Sequence, residues 1–239
     1  MKLLQPTTQK IVLTTFFLMM HYITFGTTMI QSYPGILCTI EGIDGSGKST
    51  LINKLYENCI KHSIAAVCTR EPGATQLGKK IREILADRTA PTCTKAEFLL
   101  FAADRAQHFN DFVVPNLQQG LVVISDRMAD SSLAYQGYLK GVDLKMIQTV
   151  NQWCMQSIEP DIVFYLKIDA VSAAQRVKKT RGFTTKFEDE FIDKMQDLIN
   201  GFETIFSTRK NVIVLDALQD PDSIVQQAFQ ALQEKIKNK

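Results

Sequence analysis

Residues 42–49 read Gly-Ile-Asp-Gly-Ser-Gly-Lys-Ser and follow directly on the apolar run ILCTIE at 36–41. A short buried strand running into a glycine-rich loop that opens a helix constrains this chain more than any other feature. The glycines permit backbone conformations that turn successive N–H groups toward one point. The N-terminus of the following helix adds partial positive charge there. In such a loop Lys48 reaches the terminal phosphates of a nucleotide and the Ser49 hydroxyl ligates Mg²⁺. Gly42, Ile43, Asp44, Gly45, Ser46, Gly47, Lys48, Ser49 and Thr50 are therefore the candidate nucleotide-binding segment. Asp44 is an anomaly in it, because a carboxylate beside a polyphosphate is repelled.

Downstream, short apolar runs alternate with helical patterns. Strands are predicted at 36–41, 64–69, 121–125, 162–168 and 211–216. Between them lie helical patterns from Lys48 to about His62, over 76–87, from Thr94 to about Val114 with Pro115 ending it, and from Asp143 to Ile158. Two more helical patterns flank a basic, glycine-containing break at 178–187, and a helix with a charged tail ends the chain. Five apolar strands separated by helices imply an α/β fold, an open parallel sheet covered on both faces. With no internal repeat and no linker inside 36–239, one domain is expected there.

The bulk numbers exclude rather than identify. With 239 residues, 45% of them hydrophobic, the chain can bury a substantial core. A formal charge of +2 gives no overall electrostatic argument for a nucleic-acid or membrane partner. Five dispersed cysteines and three histidines form no zinc pattern and read as reduced, cytosolic thiols, with Cys38 and Cys68 expected in the core. Residues 1–35 differ from the rest. Ile11–Ile30 lacks Lys, Arg, Asp and Glu, and 13 of its 20 residues are apolar. Five of those 20 are Thr, no Ala precedes Ala65 and no Arg precedes Arg70, which argues against a secretion signal or a transit peptide. The segment reads as an upstream extension ahead of Met29 or as a working segment, a membrane anchor among the alternatives.

Three further stretches fall where an open parallel sheet binds ligands, or beside it. In SDRMADSSLAYQG (125–137), Asp126 and Arg127 end a strand, where they serve either a metal-bound water and a phosphate or a structural cap. In CTREPGATQ (68–76), Arg70 and Glu71 end another strand, as ligand residues or as a surface pair. In FLLFAADRAQ (98–107), Phe101 and Arg105 share a helix face, as a base-binding pair or as a core Phe with a surface Arg.

Together with EGIDGSGKST, TREPGATQLG, LLFAADRAQH, DRMADSSLAYQG and VIVLDA, the chain resembles the bacterial thymidylate kinases over essentially all of 36–235. The resemblance implies a P-loop nucleoside-monophosphate kinase fold with a five-stranded parallel sheet and a short basic lid. It implies ATP and Mg²⁺ as cofactors, dTMP as acceptor, dTDP as product, a cytoplasmic homodimer, and no nucleic-acid or membrane partner. Phe101 would stack on thymine, Arg105 would bond its edge, Ser132 would contact the base, Gln136 would bind the substrate, and Tyr135 would pack on the sugar. Arg70 and Arg127 would line the acceptor phosphate, and Ser49 and Asp126 would organise Mg²⁺. Asp44 would face the acceptor rather than the donor phosphates. The phosphate loop carries no Arg, so the transferred charge would be met from Arg176, Lys178, Lys179, Arg181 or Lys186, although such a run also suits a solvated helix face. The lid departs from its usual Asp-Arg pattern at Thr185-Lys186, Met128 replaces a commonly aromatic residue, and Ala74 a common Gly. Rival readings are another nucleotide or nucleoside kinase, or a non-catalytic P-loop paralogue.

Overall fold

Every residue of Ile36–Glu41 is buried, because this first strand, β1, lies mid-sheet with strands on both sides. The computed structural model describes residues 33–87, 89, 93–181 and 188–239, with side chains at 33–87, 89, 93–179 and 192–239. After β1 come α1 (Lys48–Lys61), β2 (Ala66–Arg70), α2 (Gln76–Ala86) and α3 (Thr94–His108). Then follow a π-helical turn at Phe109–Val113, α4 (Val114–Gln118) and β3 (Val122–Asp126). The short α5 (Ala129–Ser132) runs into a second π-helical stretch, Leu133–Leu139, and α6 (Leu144–Cys154) leads to β4 (Ile162–Lys167). The chain continues through α7 (Ala170–Arg181), α8 (Glu188–Phe206), β5 (Val212–Asp216) and α9 (Pro221–Lys237).

The five strands are all parallel in the order β2-β3-β1-β4-β5. Successive residues point to opposite faces, and along β1, β3 and β4 both faces are covered, so these strands read as mostly apolar runs, whereas the edge strands β2 and β5 are partly exposed. Ile36, Cys38 and Ile40 join one core with α1, α8 and α9, whereas Leu37 joins a second with Phe109, Val113 and Leu117. The register sets Ile40 and Arg70 level with Asp126. The carboxyl ends of β1, β2 and β3 therefore deliver their next residues to one edge.

Three local expectations need correction. Pro115 does not end its helix. The π-helical turn just before it widens the coil, and the chain stays helical to Gln118, with Pro115 in the first turn of α4. Cys68 is exposed, because β2 is an edge strand on which alternate residues face outward. Cys38, on β1, is buried as expected. The helical run at 129–139 was not anticipated from the sequence, since it is short and contains Gly137 and two adjacent serines.

Candidate active site

The loop after β1 takes left-handed backbone angles at Gly45 (φ 85) and Gly47 (φ 98). A Cβ on Gly45 would lie 2.5 Å from the Ala173 carbonyl, whereas one on Gly47 would meet nothing within 4 Å. Gly45 is thus fixed by close packing against α7, and Gly47 by its backbone angle beside open space. Gly47 also caps α1 without a side-chain hydrogen bond, and no acidic residue occupies the first turn. The first N–H groups of α1 are left for an anion.

Lys48 makes hydrogen bonds within its own loop. It is 8% exposed, and its Nζ donates to the carbonyls of Gly42 (3.0 Å) and Ile43 (2.8 Å). Burial first, then the Arg127 charge, lowers its pKa to about 7. A neutral amine still has the two N–H groups these carbonyls need. Asp44 pairs with Arg127 Nη2 at 2.7 Å, and Arg127 Nη1 donates to Gly42 O (3.0 Å) and Ser131 Oγ (3.2 Å). The Arg127 guanidinium also stands 5.1 Å from the centre of the Tyr135 ring. The wholly buried Glu41 accepts from Met128 N (2.8 Å) and Ser131 Oγ (2.6 Å), tying the start of α5 to the end of β1. Burial first, then Asp130, raises the Glu41 pKa to about 8.

A cleft of about 960 Å³ runs from this loop across the strand ends. Asp44, Gly45, Ser46, Gly47, Lys48, Ser49 and Thr50 line one end, with Arg176 and Lys179 of α7 over them. Arg70, Phe101, Arg105, Asp126, Arg127, Ser132, Tyr135 and Gln136 line the rest. Gly42 and Ile43 are not lining residues. They contribute their carbonyls to Lys48, and the Ile43 side chain is core. The Arg181 side chain and Lys186 lie outside the described atoms. Arg176 Nη2 donates to Ala217 O at 2.9 Å, and Nη1 lies 3.5 Å from Gly45 O.

Arg70 and Glu71 are not the surface pair that was one reading of that strand end. Arg70 is exposed toward the cleft, while the buried Glu71 binds Arg105 at 2.8 Å and His108 Nδ1 at 2.9 Å. Burial alone would raise the Glu71 pKa, but Arg105 and His108 outweigh it and hold the carboxyl below its usual range. Nor is Arg105 a surface residue, at 1% exposed. Glu97 and Ser131 also line the cleft and were not assigned a site role from sequence. Glu97 lies four residues before Phe101 on the same helix face, a usable signal. Its Oε1 accepts from Gln136 Nε2 at 2.8 Å, which turns the Gln136 amine toward it.

Among the described residues no cluster of three or more His, Cys, Asp or Glu could hold a metal unaided. Mg²⁺ needs less protein than that, since it is commonly held by one or two carboxylates together with substrate phosphates. Asp126 Oδ1 is buried at the cleft with no hydrogen-bond partner, and Ser49 Oγ lines the same cleft. This donor set fits such an ion.

A thymidylate kinase family model matches residues 40–228. The chain belongs to the thymidylate kinase family. It is 38% identical over 200 residues to the thymidylate kinase of Halothermothrix orenii, covering 82% of this chain and 95% of that one. The thymidylate kinase of Chlorobium phaeobacteroides is 38% identical over 209 residues, covering 84% and 95%. That of Finegoldia magna is 32% identical over 198 residues, covering 82% and 97%. Family membership accords with the all-parallel sheet and carries an ATP-dependent phosphotransferase activity that uses a metal.

Proposed function

We propose that the chain transfers the γ-phosphoryl group of ATP to the phosphate of dTMP, giving ADP and dTDP. The observation that carries this is one continuous cleft, with anion-binding backbone and Lys48 at one end and Phe101, Arg105, Ser132, Tyr135 and Gln136 at the other. A phosphate oxygen of dTMP attacks the γ-phosphorus, and the bond to the β,γ-bridging oxygen breaks as ADP leaves. No covalent intermediate on the protein is needed, so catalysis is positioning and charge stabilisation. The loop amides and Lys48 hold the donor phosphates, and Arg127 and Arg70 hold the acceptor phosphate. Asp44, on the acceptor side of the loop, keeps Arg127 in place. Ser49 and Asp126 would hold Mg²⁺, which neutralises phosphate charge and orients the donor.

Phe101 offers a flat face to the base, Arg105 and Gln136 address its edge, and Tyr135 walls the sugar. The exposed apolar side chains Leu99, Met146 and Trp153 on α3 and α6 support a homodimer that would cover them. Among the described residues no helix is long and apolar enough to cross a membrane. We read the working unit as residues 33–239, in the cytoplasm, with residues 1–32 as an extension, since Tyr33 packs in the second core. A turnover panel across dTMP, dUMP, dCMP and thymidine tests the reading. dTMP should be the best acceptor and thymidine inert. A folded protein inactive toward dTMP but active toward another acceptor would overturn it, and one inactive toward all four would favour a non-catalytic role.

A further inference from the structure

Arg105 is the largest side chain that the fold encloses almost completely, and three other side chains grip its guanidinium. Its Nε donates to Glu71 Oε2 at 2.8 Å, and Nη2 lies 2.8 Å from the same oxygen. Nη1 donates to Asn151 Oδ1 at 2.5 Å and to Ser132 Oγ at 3.2 Å. Glu71 is braced from behind, with Oε1 2.9 Å from His108 Nδ1, and His108 Nε2 stands 2.6 Å from Thr69 Oγ1. A guanidinium has five N–H groups. Among the described residues four are engaged, which leaves one, on Nη2, for whatever enters the cleft that Arg105 lines. Asn151 does not line that cleft. It sits on α6, 4% exposed, and its own Nδ2 donates to Ala129 O at 3.4 Å.

We propose that Asn151 and Glu71 are positioning residues that lock Arg105 in one pose and thereby set the acceptor site's preference for a pyrimidine with a carbonyl at position 4. This rests on the reading above, in which Arg105 meets the base edge. The remaining N–H can only donate. A carbonyl oxygen accepts it, whereas the amino group of cytosine presents an N–H of its own and leaves two donors facing each other. The mismatch becomes selectivity only if the donor cannot turn away. A mobile arginine would rotate to another acceptor, and it would also pay rotamer entropy each time a substrate bound. Held by Glu71 and Asn151, Arg105 escapes neither way, so a wrong base leaves a buried donor unpaired.

Steady-state kinetics of the full chain with dTMP and dCMP as acceptors test this, with melting temperature followed in parallel. Asn151→Leu keeps the size and removes the acceptor. It should raise KM for dTMP about tenfold and narrow the dTMP-to-dCMP ratio of kcat/KM by a similar factor. Its kcat and its KM for ATP should stay within about twofold, as expected when uniform binding of one substrate is lost. Asn151→Asp keeps the Oδ1 acceptor and should return KM for dTMP to within about threefold of the parent. If Asn151→Leu does not fold, Asn151→Ala, which also removes the acceptor, must show the same narrowed ratio. The positioning role is overturned if the dTMP KM and the ratio stay put, if ATP and dTMP suffer alike, or if the Asp variant fails to rescue. A parent protein that turns over dTMP beside an indifferent Leu variant sinks only this inference. A parent that does not turn over dTMP sinks the function it rests on.

Discussion

Arg127 is not glycine, yet its φ is 66. A left-handed angle costs a side-chain-bearing residue about 1–2 kcal/mol, so its contacts must repay it. Asp44, the Gly42 carbonyl, Ser131 and the Tyr135 ring do so together, and the misplaced carboxylate of the phosphate loop thereby finds a role as a partner to the arginine. Lys48 is the second residue whose state depends on its neighbours. Its pKa of about 7 means that most of it is uncharged at pH 8 while the site holds no anion. The sign for folding follows. The unfolded chain binds the proton more tightly, so this group subtracts stability below pH 7 and the deficit fades as pH rises from 7 toward the unfolded value. For binding the sign reverses, because a polyphosphate favours the charged amine and draws a proton in. We predict that a non-hydrolysable Mg-ATP analogue takes up about one proton per site at pH 8 and little at pH 6. Titration calorimetry in buffers of different ionisation enthalpy measures this. Lys48→Met should abolish the uptake, and an absence of uptake at pH 8 in the parent would refute the depressed pKa.

Among the elements, each of the five strands was legible to within about two residues, and in β1, β3 and β4 burial on both faces leaves a mostly apolar run. The helical run at 129–139 and the continuation through Pro115 were not, because π-helical turns break the period that sequence reading relies on. The same divide separates the site residues. Loop and strand-end candidates declared themselves by local pattern. Asn151 and Glu41 did not, since they act on partners 46 and 87 or more residues away through contacts only the fold creates. Helix α7 shows what the structure adds. Sequence spacing left the weight of Arg176 undecided, whereas the fold ties it to Ala217 and sets it near Gly45 at the nucleotide end of the cleft. Arg176→Ala should therefore raise KM for ATP about fivefold, the worth of about one hydrogen bond, with a smaller change in kcat. We propose Arg181, which precedes Gly182 in the sequence, as the cation that meets the transferred phosphoryl group. Arg181→Ala should lower kcat by about two or more powers of ten and leave ATP affinity nearly unchanged, because its contact strengthens only as charge develops. If the two variants exchange these signatures in initial-rate measurements, the assignments along α7 are reversed.

At the scale of the whole molecule, the described domain closes on itself at Tyr33. Tyr33 is 7% exposed within the second core, and Gly35 N donates to Leu117 O at 2.9 Å. From the far end of the chain, Lys239 Nζ bonds the Gly35 carbonyl and lies 2.9 Å from Asp161, whose Oδ2 also accepts from Leu37 N at 2.9 Å. The family match begins only at residue 40, and every candidate catalytic residue follows Glu41. We therefore predict that a protein started at Met29 keeps the kcat, both KM values and the melting temperature of the full chain. A start at Leu37 should not be neutral. It removes the buried Tyr33, the Gly35 contacts and the first residue of β1. Losing an aromatic of that size costs about 1.5–3 kcal/mol, or about 3–12 °C in a domain of this length. Calorimetric melting of the three proteins, with dTMP turnover measured on each, separates the cases. If the Met29 start melted lower or lost activity, residues 1–28 would be part of the folded catalytic unit. If the Leu37 start were as stable as the full chain, Tyr33 and Gly35 would not be the closure of the core, and the boundary would lie inside β1.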